Sequence, residues 1–248
     1  DAACLGDVQH RFARAAFRRD PTPEERALYV TAEAGLARSP EELVTSLAAV
    51  VASPSFLYRI ELGRDVPEAD RPLSADELAT RLAYHLWQEP PDAQLLASSA
   101  QLGTNDGYEA KARQMLADPR TRRSFHTFFL EWLELDHLKP LSERIDEPRF
   151  VAYADGLVPS EVLHLEMVRE LLDFVDFIVW DTSGTFSDLF TSTVVRPPSK
   201  DVADLYGVPF EPGGPLQEDP ERPGVLTRLA FLADPAPGSR PIHRVRAS

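Results

Sequence analysis

Residues 160–180 read SEVLHLEMVRELLDFVDFIVW, and the spacing of the apolar positions in this stretch decides the fold class. Leu165, Val168, Leu172, Val175 and Val179 recur at helical intervals and line one face. Leu163, Met167, Leu171, Phe174 and Ile178 make a second row alongside. Two rows leave a narrow polar stripe of Glu166, Arg169, Glu170 and Asp173, so this helix is expected at the centre of a helical body. Its charges, with Asp176, exclude a membrane span, which needs about 20 consecutive apolar residues.

Outward from this helix, the chain marks its other helix starts. Thr22-Pro23-Glu24-Glu25, Ser39-Pro40-Glu41-Glu42 and Ser74-Ala75-Asp76-Glu77 each place a hydroxyl three residues before Glu. The hydroxyl accepts an orphan backbone N–H while Glu reaches back to the cap, and acid in the first turn suits the helix dipole. Ser53-Pro54 and Asp118-Pro119 carry the cap-then-proline half of the same signal. Apolar stripes agree: Leu43, Leu47, Val50 and Val51; Leu78, Leu82 and Leu86 beside Trp87; and Phe125, Phe129, Trp132 and Leu133. Strand signal is confined to fragments such as Thr193–Val195.

The predicted fold is therefore all-α, an irregular multi-helix bundle with a proline-rich C-terminal arm. Breaks at 63–72, 90–91, 103–107 and 139–160 separate the helices, and an irregular tract covers 197–223. A boundary is drawn near residue 70. It divides an N-terminal helical unit (1–70) from a main body (71–210), followed by an arm (211–248) with one short helix.

Composition narrows the function classes. The 248 residues suffice for one large core or two modest ones. A formal charge of −14 argues against nucleic acid as a partner, because phosphate binding needs clustered cations. Arg11, Arg14, Arg18 and Arg19 recur at roughly helical spacing; a solvated face paired with carboxylates and a phosphate or lipid patch are the two readings. The single cysteine, Cys4, excludes an internal disulfide, a cysteine-rich zinc site and a Cys-x-x-Cys-His haem attachment within these residues. Residues 1–19 are too charged for a signal peptide, which leaves a cytosolic protein or a trimmed piece of an exported one. No Gly-x-Ser-x-Gly elbow, Walker loop or Rossmann fingerprint is present, so no resident cofactor is expected.

Several phrases, in order, resemble a set of exported bacterial domains. FARAAFRRDPTPEE (12–25) is similar to "FARRAFRRPLTPEE", VVASPSFLYRIE (50–61) to "VLVSPHFLYRIE", and LSADELATRLAYHLW (73–87) to "LSDYELASRLSYFLW". Residues 112–132 contain an "ARRMLADPR…FFxxWL" pattern, and Leu205-Tyr206-Gly207-Val208 an "LAxxYGVP" one. GVLTRLAFLADPAPGSRPIHR (224–244) is similar to "GLLTQASFLAAHA…TSPVHRG". The chain thus resembles the tandem domains of unknown function associated with planctomycete cytochrome c proteins, found also in myxobacteria. The resemblance implies an exported or surface-anchored protein, joined to a c-type haem domain or to carbohydrate-binding modules. A haem-bearing protein partner or neighbouring domain, or a carbohydrate, would be what it meets. It supplies no catalytic residues. Two departures suggest truncation: no "FVRExLLC" tail follows Arg244, and no haem domain precedes Cys4, whose partner would lie in missing sequence.

Three constellations are candidates for chemistry. Glu166, Glu170 and Asp173 stack at helical spacing, and paired carboxylates can act as general acid and base or as acid and nucleophile in glycoside cleavage; intrahelical pairing with Arg169, or bridging to a neighbouring helix, is the structural alternative. Glu134 with His137, and Glu161 with His164, are twin Glu-x-x-His pairs of the kind that hold two metals in helical bundles; solvated helix ends are the alternative. His243 sits in a proline-rich phrase, where an imidazole would titrate near neutrality. His85, next to Leu86 and Trp87, is expected to be a core histidine, and Tyr58 and Arg59 to anchor one helix on the next.

Overall fold

A computed structural model of the chain describes residues 2–30, 39–64, 66, 71–154, 156 and 158–233. His243 lies outside the described residues. The chain forms two compact units, residues 1–124 and 125–248. The division falls at Ser124–Phe125, inside a helix, and the boundary drawn from sequence near residue 70 falls within the first unit.

Unit 1 opens with α1 (Ala2–Phe17), α2 (Pro23–Tyr29), α3 (Pro40–Val51) and α4 (Pro54–Leu57), and continues with α5 (Ala75–Trp87), α6 (Ala93–Ala97) and α7 (Asn105–Leu116). It ends in the first turns of α8 (Pro119–Trp132). All three hydroxyl–Glu capping boxes form, at Thr22/Glu25, Ser39/Glu42 and Ser74/Glu77. The third does more than cap. Glu77 accepts from Ser74 N at 2.7 Å and also from Leu62 N and Gly63 N at 2.6 and 3.1 Å, tying the preceding extended segment to the start of α5. Burial pushes this carboxyl up, but the three backbone N–H groups outweigh it and hold Glu77 below its ordinary value.

Two small cores result. Ala13, Phe17 and Val50 close the contact between α1 and α3. Ala79, Leu82, Ala83 and Trp87 of α5 pack with Leu95, Leu96, Leu102 and Met115. His85 is exposed, which corrects its expected place in the core: it points away from the Leu82/Ala83 face of α5. Tyr58 is also exposed, whereas Arg59 lies over the Tyr84 ring of α5 at 5.6 Å.

The basic row of α1 is consumed by partners. Arg11 pairs with Asp7, Arg14 with Asp20 and Arg19 with Glu25, at 3.0, 3.1 and 2.7 Å. Arg18 is buried instead of solvated, and donates to the carbonyls of Ser55 and Tyr58 at the end of α4, at 2.8 and 3.1 Å. The Arg19 pair makes a testable statement. Hydrogen bonds from Arg19, with Ser55 and Thr22 N adding theirs, hold the Glu25 carboxyl at about 2 instead of 4.5. A depressed folded-state value means that the unfolded chain takes up the proton more readily. The contribution of the pair is therefore present above 4.5 and is lost as pH falls through about 2. Glu25→Gln is expected to flatten the acid limb of the stability–pH curve in denaturant unfolding; an unchanged acid limb would refute this role.

Unit 2 begins with the remainder of α8 and continues through α9 (Pro148–Tyr153) to α10 (Leu163–Asp176), the long helix, which ends in a π-helical turn, Phe177–Asp181. After it come α11 (Asp188–Thr191), β1 (Val194–Val195), α12 (Lys200–Tyr206), β2 (Gln217–Glu218) and α13 (Leu229–Leu232). β1 and β2 pair antiparallel, Val194 opposite Glu218 and Val195 opposite Gln217, and are the only strands among the described residues. The architecture is thus mostly α, as the apolar periodicity implies.

The two apolar rows of α10 separate on folding. Leu163, Met167, Leu171, Phe174 and Ile178 are all buried, and pack with Phe129, Leu133, Val195, Val202, Val225 and Ala230. In the other row only Val175 is fully buried, and Leu165 is exposed. The expected polar stripe is a correction in part, because Glu170 belongs to the core side.

Candidate functional site

Glu170 stands at the centre of unit 2 with no exposed surface. A carboxylate taken out of water needs a counter-charge and hydrogen bonds, and two residues deliver them. Arg228, immediately before α13, donates to Oε1 at 2.8 Å, and Tyr206, the last residue of α12, donates its hydroxyl to Oε2 at 2.9 Å. Arg228 is itself fully buried, lies 3.8 Å above the Phe174 ring and donates to Val194 O at 2.6 Å. The cluster therefore joins α10, α12, β1 and the start of α13 at one point. Burial pushes the Glu170 carboxyl up, against the pull of Arg228 and the Tyr206 hydroxyl. Burial, and then the Glu170 charge, also raise the Tyr206 phenol.

The other two acids of the stripe are nearer the surface. Glu166 accepts from the Ser199 hydroxyl at 2.8 Å, and Ser199 caps α12 through Val202 N. Asp173 lies 3.7 Å from Arg169, one turn back. Burial raises its carboxyl and Asp176 adds to that, while Arg169, Arg196 and His126 oppose it. His126 of α8 meets Asp176 at 2.8 Å through Nε2, so a histidine–carboxylate pair stands beside Asp173. No local sequence signal announces it, since fifty positions separate the two residues.

The twin Glu-x-x-His pairs do not converge. Glu134 has φ +55 at the entry to a 3₁₀ turn, Leu135–His137, and His137 is exposed with Asp136 at 3.6 Å. Glu161 is exposed, and Nδ1 of His164 is buried without a hydrogen-bond partner. Among the described residues, no three His, Cys, Asp or Glu side chains come together so as to hold a metal ion. No described helix is long and apolar enough to cross a membrane.

Unit 1 holds a cleft of about 180 Å³ between the end of α5, the start of α6 and the C-terminal half of α7. Arg120 forms one wall. Its guanidinium lies 3.3 Å above the Trp87 ring and bonds Asp118 and Asp92, each within 3.0 Å.

Residues 73–208 match the family described as PSD4: Protein of unknown function (DUF1592), and this is more than half of the chain. The chain belongs to that family. No curated protein and no solved structure matches it. The PSD4 match begins at the Ser74 capping box and ends just after α12, so it contains the unit 1 cleft, the acids of α10 and Tyr206. Arg228, the counter-charge for Glu170, lies beyond it. One sequence signal does point to Arg228. It is the only charge within Val225–Leu232, and a lone charge in an apolar run must find a buried partner.

Proposed function

We propose that this PSD4-family chain is a non-catalytic helical binding module of an exported protein, seated beside a haem-bearing or polysaccharide-handling domain. The state of the central helix carries the reading. Glu166, Glu170 and Asp173 each have a partner within unit 2, and Glu170, with both oxygens engaged, is shut away from solvent and substrate. Surface chemistry agrees. Phe128, Trp132, Phe190 and Phe186 form a row with successive centroids 5.6, 6.4 and 5.0 Å apart, and its ends, Phe128 and Phe186, are 51% and 74% exposed. Exposed aromatic rings of this kind mark surfaces that a partner covers. The exported setting and the tandem arrangement rest on the sequence resemblance and belong to the proposal.

The test is calorimetric titration with a c-type cytochrome domain and, separately, with a soluble polysaccharide, comparing wild type with Phe186→Ser. Saturable binding to one of the two, weakened at least about tenfold in a variant with an unchanged circular-dichroism spectrum, is the expected result. Binding to neither, or binding indifferent to Phe186, would overturn the proposal. A second reading, a hydrolase working through the acids of α10, draws on Asp173 beside the His126–Asp176 pair. Turnover of a glycoside or ester that disappears in Asp173→Asn would favour it.

A further inference from the structure

We infer that the cleft of unit 1 binds a small organic monocarboxylate, its apolar body on Leu95 and Met115 and its carboxylate on Lys111. The inventory of donors and acceptors carries this. Both oxygens of Asp92 are occupied, Oδ1 by Leu95 N at 2.8 Å and Oδ2 by Arg120 at 2.9 Å. Those of Asp118 are occupied by the backbone N–H and the guanidinium of Arg120. The acids of the cleft are thus committed to building its wall. Donors are left over. The Arg120 guanidinium uses three of its five N–H groups, and Lys111 gives one of three to Gln114 Oε1 at 3.0 Å. Trp87, which lines the same cleft, is buried and has an indole N–H without a partner among the described residues.

Unused N–H donors on Arg120, Lys111 and Trp87 in one cleft select a ligand that brings oxygen acceptors. Charge and shape restrict it further. Lys111 and Arg120 are balanced by Asp92 and Asp118, so a single negative charge can be held on Lys111, whereas a phosphate dianion would meet two nearby carboxylates. The floor of Leu95 and Met115, both buried, offers an inorganic anion nothing and an alkyl or aryl group a seat.

Calorimetry and saturation-transfer NMR with butyrate and phenylacetate test the assignment, with butanamide and inorganic phosphate as comparisons. Wild type is expected to bind the carboxylates saturably and to prefer them to both comparisons. Lys111→Gln, at a partly exposed position of α7, is expected to keep the fold and to bind about tenfold more weakly, while Lys111→Arg retains most of the affinity. The inference fails if no carboxylate binds saturably, if butanamide or phosphate binds equally well, or if Lys111→Gln binds like wild type. It stands apart from the aromatic row of unit 2, so Phe186→Ser leaves this binding unchanged.

Discussion

Arg228→Met is expected to lower the unfolding free energy by about 3–5 kcal/mol, read by denaturant titration in mildly alkaline buffer. The loss comes from what stays behind. Glu170 keeps its buried position and its Tyr206 hydrogen bond, but a carboxylate without a counter-charge in the core is far less stable than the paired one. The size of the effect depends on pH in a direction that can be worked out. Burial already pushes the Glu170 carboxyl up, and removing Arg228 takes away the largest opposing influence, so its folded-state value rises further. A raised folded-state value means that the folded protein binds the proton more tightly than the unfolded chain. Stability of the variant is regained as pH falls below the folded value and lost as pH rises through it. The gap to wild type is therefore expected to narrow in mildly acidic buffer. A gap that is constant across pH would show that Glu170 does not take up the proton.

Gly224→Ala is expected to cost at least about 3 kcal/mol, from backbone strain and overpacking together. Gly224 has φ +71 and ψ −179, a region open almost only to glycine. A β-carbon there would sit 2.3 Å from the carbonyl carbon and oxygen of Phe190, and these are main-chain atoms that cannot swing aside. Gly224 N also donates to Ser192 O at 2.8 Å, which fixes the chain against the end of α11 four residues before Arg228. Gly207 supplies the comparison. It too has a positive φ, +69, but a β-carbon would meet nothing within 4 Å, so Gly207→Ala pays only the left-handed penalty of about 1–2 kcal/mol. Thermal unfolding of the two variants side by side separates the clash from the conformational strain. Equal losses would refute the clash.

The helical architecture was legible because its signals are local. Ser74 and Glu77 lie three positions apart and act on one helix end, and the Leu163–Ile178 row repeats within one helix. What was not legible depends on residues brought together from far along the chain. Glu170 reads as one more acid in a polar stripe, because burial of its side of α10 is decided by α12 and α13. Arg228 lies fifty-eight positions away, and the phrase it resembles carries glutamine there. His126 and Asp176 likewise sit on different helices, each unremarkable in its own window. Arg18 reads with its neighbours as a surface residue, but the left-handed turn at φ +60 after α1 sends its guanidinium to the carbonyls of Ser55 and Tyr58. The Glu-x-x-His pairs show the converse: correct local spacing did not bring two distant pairs to one point.

The claim on which the rest depends is that Glu170 holds unit 2 together through Arg228. A double-mutant cycle over Glu170→Leu and Arg228→Met, followed by denaturant unfolding, addresses it most directly. Each single variant removes one buried partner, and the double variant removes both and leaves an apolar contact. The predicted result is a double variant more stable than Arg228→Met alone, with a coupling of at least about 2 kcal/mol between the two positions. Additive losses, with the double variant less stable than either single one, would contradict it.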